Sequence, residues 1–129
     1  MRSLFLHLIA IVVVLTSCNN NENNDECKSF IASGVEAVSL IPTTDMIGAT
    51  FQVDFYISNG CGKFEKFEEK IEGNTRTIKV IGKYEGCICT QELSLKSANY
   101  VFTTSTSGTY TLKFLKSDGT FFTETVVIP

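Results

Sequence analysis

The chain has 129 residues with a formal net charge of −3, 43% hydrophobic residues, one histidine and no tryptophan. That length fits one domain with a real core. The acidic balance disfavours nucleic acid or anionic lipid as a partner, because both attract Lys/Arg-rich faces.

Residues Leu4 to Leu15 form an almost continuous apolar run after Arg2, interrupted only by His7. A positive start, an apolar middle and small residues before a cleavage point describe a secretory signal rather than a fold element. The run is also shorter than the roughly 20 apolar residues a bilayer span requires. Leu15-Thr16-Ser17-Cys18 resembles the lipobox of bacterial lipoproteins. The resemblance implies cleavage after residue 17, acylation of Cys18 and a membrane partner reached through that acyl group. Its location would be the bacterial cell envelope, most readily the outer membrane. Asn19 to Glu26 contains no apolar residue and cannot offset its ordering entropy by burial, so 18–34 is expected to be a flexible polar tether.

Cleavage at that point removes His7, the one histidine, and makes the chain one unit more acidic by removing Arg2. Ser-His-Asp and Cys-His catalysis then have no base. Cys27, Cys61, Cys87 and Cys89 remain beyond the anchor. In an exported protein an even cysteine count reads as disulfides. Cys87 and Cys89, two apart, share one face of an extended segment and are badly placed to pair with each other. Each is expected to reach a distant partner, Cys61 for one and Cys27 for the other, with the connectivity open. A loop closed from Cys61 to Cys87 would add roughly 3–4 kcal/mol on the chain-entropy account.

Short β signals separated by turns follow. Val35 to Ile41 reads as a strand stopped by Pro42 and Thr43-Thr44-Asp45. Thr50 to Ile57 alternates, with Phe51, Val53, Phe55 and Ile57 on one face and Gln52, Asp54 and Tyr56 on the other. In 63–72 the apolar Phe64, Phe67 and Ile71 fall at helical spacing, yet two turns make a marginal helix. A hairpin strand bulged near Lys66, returning through Glu72-Gly73-Asn74 into Thr75–Tyr84, accounts for the segment better. Glu65, Glu68, Glu69 and Glu72 are interleaved with Lys63, Lys66 and Lys70, which suits a solvated, charge-balanced face rather than a calcium site or an acid pair. Thr90 to Asn99 is largely polar. Tyr100–Thr104, Thr109–Lys116 and Thr120–Ile128 are strands, the last two joined by the hairpin turn Ser117-Asp118-Gly119.

Seven strands and no convincing helix predict an all-β, disulfide-stapled sandwich of antiparallel strands spanning 35–129. Gly108-Thr109-Tyr110-Thr111-Leu112 resembles the tyrosine-corner strand of immunoglobulin-like domains. Leu112 stands where antibody domains carry a cysteine, Thr106 replaces the usual acidic residue, and the core tryptophan is missing. Asn59-Gly60-Cys61-Gly62 together with Tyr84-Glu85-Gly86-Cys87-Ile88-Cys89-Thr90 is similar to segments of small, uncharacterised bacterial lipoproteins with an immunoglobulin-like β-sandwich domain. That resemblance implies a fold and an anchor but no activity.

Cys87-Ile88-Cys89 is the one motif with chemical potential. A four-thiolate metal site favours paired Cys-x-x-Cys knuckles, and a redox thiol favours nearby cations. Cys27 and Cys61 are isolated, and Glu85 and Glu92 flank the motif, so structural disulfides are the stronger reading. No metal or cofactor is expected. The sequence therefore points to a non-enzymatic, membrane-tethered module that binds a protein or glycan or plays an accessory structural part. Tyr56, Asn59, Gly60, Thr90 and Gln91 are the candidate contact residues. An inhibitor or immunity-type envelope protein is the alternative, and a thiol redox or metal-binding protein using Cys87 and Cys89 a weaker one.

Overall fold

A computed structural model describes residues 27–44 and 47–129. The signal segment 1–17, Cys18, tether residues 19–26 and Asp45 of the first turn lie outside the described residues. Within them the chain forms eight strands and no helix: β1 (Lys28–Ser33), β2 (Val35–Ile41), β3 (Gly48–Ile57), β4 (Gly62–Glu72), β5 (Thr75–Glu85), β6 (Ser94–Thr103), β7 (Gly108–Leu115) and β8 (Phe121–Ile128).

The strands make two facing sheets, one of order β2-β3-β6 and one built on β5. Along one edge β5 pairs with β4; along the other it pairs with β1 over Val80–Glu85 and with β7 over Thr75–Ile78. β8 completes this sheet beside β7. The expected sandwich is present, with two differences. The β5–β7 ladder is parallel, and the domain starts before residue 35. Lys28–Ser33, assigned above to the tether, is a strand of six residues paired to β5.

Alternation builds the core. Phe51, Val53, Phe55 and Ile57 of β3 are buried and face Ile78, Val80, Leu112 and Phe114 of the other sheet. Between the sheets runs a chain of ring contacts: Phe55–Phe64, Phe64–Phe67, Phe67–Tyr100, Tyr100–Phe114 and Phe114–Phe51, with centroids 5.0–5.8 Å apart. Tilted and edge-on pairs at this separation add to the burial of large apolar surfaces.

The helix-like spacing of Phe64 and Phe67 has a simple cause. The β4–β5 register shifts between Phe64 and Lys66, so Glu65 is an extra residue and both phenylalanines turn inward. β4 then returns through the two-residue Gly73-Asn74 turn, where Gly73 has φ 61°. Glycine suits the first position of such a hairpin turn, because a Cβ would oppose a positive φ.

Two tyrosines join the core by different means. The Tyr110 hydroxyl donates to the Thr106 carbonyl oxygen at 2.9 Å, closing the corner that its resemblance implied. Tyr100 is buried, and its hydroxyl has no hydrogen-bond partner among the described residues. It lies near the Arg76–Glu69 ion pair (2.9 Å). Burial first, and then the Glu69 carboxylate, pushes its pKa well above the ordinary tyrosine value.

Two outcomes follow. Tyr110→Phe should lose about 1 kcal/mol in urea unfolding, the typical worth of one such hydrogen bond; an unchanged midpoint would exclude a structural corner. For Tyr100, the unfolded phenol ionises near 10 while the folded one stays neutral. Folding stability therefore falls as pH rises past 10, and Tyr100→Phe should flatten that slope, measured by urea midpoints from about pH 9 to about pH 11.

Candidate interaction surface at the disulfide-bonded end

β5 ends at Glu85, and the chain turns at Gly86 with φ 140°. A Cβ here would sit 2.8 Å from the Cys61 sulfur, so only glycine permits both the turn and the close approach. Residues 87–93 then cross to β6 without regular structure.

This crossing loop is tied on two sides. Cys87 is bonded to Cys27, with Cα atoms 4.9 Å apart, and Cys89 to Cys61, with Cα atoms 5.4 Å apart. Cys87 and Cys89 thus each take a distant partner. Cys61 joins Cys89 rather than Cys87, closing a separation of 28 residues. With these four sulfurs in two bonds, no thiolate among the described residues is left to ligate a metal or attack a disulfide. Among the described residues, no group of three or more His, Cys, Asp or Glu side chains is placed to hold a metal ion.

Backbone bonds complete the clamp. Gly86 N–H donates to the Cys27 carbonyl at 2.9 Å, Glu85 N–H to Cys61 at 3.2 Å, and Gly60 N–H to Thr90 at 3.0 Å. The Asn59 side chain accepts from Cys61 N–H at 3.0 Å, the local turn that asparagine favours. At the base, the Tyr84 hydroxyl accepts from Ser58 N–H at 3.2 Å.

The structure thus brings Asn59, Gly60 and Thr90 together, and their polar groups hold the clamp closed. Gln91 is exposed beside them. Tyr56 belongs to another surface, the outer face of the β2-β3-β6 sheet, 39% exposed and opposite Leu95. Near it lies a polar row in which Asp54 accepts from Ser97 Oγ at 2.6 Å and from Gln52 Nε2 at 3.1 Å.

Two features escaped the sequence reading. Ile88, between the two bonded cysteines, is 95% exposed. Its neighbours point to their partners, so nothing packs over it, and only the pairing pattern could have revealed that. The second is a charge cluster on the outer face, where Glu85 meets Lys83 at 2.7 Å, Lys63 at 3.4 Å and Lys28 at 3.9 Å. The Lys83 contact, before that of Lys63, holds the Glu85 carboxyl below its usual range. Such exposed pairs add little stability. A cleft of about 310 Å³ between them and the clamp is lined by Cys27, Lys28, Ile31, Asn59, Tyr84 and Cys87 among others.

Two layers of strands stapled at one end define a disulfide-linked β-sandwich domain. Residues 51–128, more than half of the chain, match the family model of the ORF11 beta-sandwich domain, and the chain belongs to that family. The match runs from β3 through β8 and includes Cys61, Cys87 and Cys89, but not Cys27. No curated protein and no solved structure gives a significant match.

Replacing both Cys61 and Cys89 with serine should lower stability by roughly 3–4 kcal/mol, from the loop entropy restored to the unfolded chain. Non-reducing peptide mapping of the native protein should yield Cys27–Cys87 and Cys61–Cys89 peptides. Recovery of a Cys61–Cys87 peptide would overturn the pairing.

Proposed function

We propose that the protein is a bacterial envelope lipoprotein, anchored through an acylated Cys18, whose β-sandwich binds a protein or glycan without catalysing a reaction. Disulfides form in oxidising compartments outside the cytoplasm, and two of them fit export. The apolar leader and the Leu15-Thr16-Ser17-Cys18 sequence supply the route, and a lipoprotein-type anchor carries the two acyl chains that stable attachment needs. A non-catalytic role fits a mature chain without histidine whose four remaining cysteines are bonded to one another.

The observation that carries the binding reading is the outer face around Tyr56. An aromatic ring paired across the ladder with Leu95 stands beside the Gln52, Asp54 and Ser97 side chains. A ring for stacking and fixed polar groups for hydroxyls suit a glycan or a polar protein surface. The strands beneath hold it rigid, which lowers the ordering cost of binding. Gln91 is exposed on the separate surface at the clamp, beside Asn59, Gly60 and Thr90, and offers a second, smaller polar contact there.

The test has two parts. Cys18→Ala should abolish incorporation of a labelled fatty acid and release the protein from membranes; unchanged membrane association would remove the anchor. Tyr56→Ala should weaken capture on glycan arrays or from envelope extracts by at least about tenfold, the loss of about 1.4 kcal/mol, with the urea midpoint unmoved. Equal capture by both proteins would exclude this face.

A further inference from the structure

We propose that the disulfide-bonded end of the sandwich rests on the bilayer, with Ile88 as the side chain that enters its interface. The inference builds on the acylated Cys18 read above and adds an orientation and a second lipid contact to it.

The first argument is reach. Cys27 is where the described chain begins, and it is bonded directly to Cys87, the neighbour of Ile88. Only residues 19–26 separate it from Cys18. Such a segment spans at most about 30 Å when fully extended. β5, with 11 residues, is about 36 Å long. The tether is therefore short compared with the domain it holds, and the end it enters is the end kept near the lipid.

The second argument is the chemistry of that end. Ile88 is 95% exposed, Leu93 66% and Ile31 50%. Ile31 lines the same cleft as Cys27 and Cys87. Ile88 cannot fold back, because the cysteine on each side is bonded to a different strand or turn. It is presented in fixed form, and insertion orders little that is not already ordered. Lys28, Lys63 and Lys83 are balanced there by Glu85, Glu92 and Glu65, and the tether adds Glu22, Asp25 and Glu26, so the contact rests on apolar insertion and not on attraction to anionic headgroups. One isoleucine would not hold a soluble protein on a membrane. Beside an acyl anchor it acts at high effective concentration, which turns a weak contact into a preferred orientation.

At the opposite end of β5, Ile71 pairs with Arg76 and is 60% exposed. It offers an apolar control with no tether beside it.

The chain contains no tryptophan, so Ile88→Trp and Ile71→Trp each create a single fluorophore. The full acylated variants are reconstituted on vesicles of phosphatidylethanolamine with a minority of phosphatidylglycerol, with and without brominated acyl chains. Emission from I88W should shift to the blue and be quenched by brominated lipid about twofold or more beyond that of I71W. Vesicle flotation reads the anchor separately. Flotation with equal quenching at the two positions overturns the orientation and leaves the anchor standing; failure to float overturns both. A blue shift of I88W that appears without vesicles and grows with protein concentration assigns the surface to a second copy and also overturns the lipid contact. In the unsubstituted chain, amide exchange over 86–93 should slow on vesicles relative to soluble C18A, and unchanged exchange counts against the contact.

Discussion

The two sheets meet only through side chains, and the row of rings from Phe55 through Phe64, Phe67, Tyr100 and Phe114 to Phe51 is what joins them. Every strand that contributes a ring must keep its register, because a slip of one residue would turn an aromatic face into solvent. β4 meets this demand in an unusual way. It spends one residue on a bulge at Glu65 so that Phe64 and Phe67 both point inward. The sheets need no covalent link where the rings are continuous. At the end beyond them, where the chain crosses between sheets in a polar loop, two disulfides and three backbone bonds take over.

Division of labour between core and clamp explains why the candidate surfaces differ in character. The face around Tyr56 is rigid because a packed sheet lies beneath it. The Ile88 tip is rigid because cysteines hold the backbone on either side. The family match covers the ring row and the Cys61–Cys89 bond. β1, β2 and Cys27 lie outside the matched residues.

Much of this frame was legible in the sequence. Phe51, Val53, Phe55 and Ile57 announce a half-buried strand by strict alternation, and Asp118-Gly119 marks a hairpin whose Asp118 side chain accepts from Thr120 N–H at 2.9 Å. β1 was not legible, since five of its six residues are exposed. It is a strand because β5 offers a free edge and Cys87 holds its start, and neither fact leaves a periodic trace. The parallel β5–β7 ladder was equally hidden, because pairing partners are set by the path of the whole chain. Asn59, Gly60 and Thr90 were found through the cysteine motifs around them, although their polar groups turned out to be taken up inside the clamp, Gly60 N–H by Thr90 and Asn59 by Cys61 and Gly62. Ile88 is the reverse case. Its residue type suggests burial, and only the bonds of its neighbours force it outward.

The connectivity also orders events in time. A chain emerging N-terminus first presents Cys27 and Cys61 before either native partner, and Cys27 waits 60 residues for Cys87. During that interval these two can bond to each other, a bond the finished domain lacks. Correct oxidation therefore depends on delay, or on an isomerase that undoes the early mispairing.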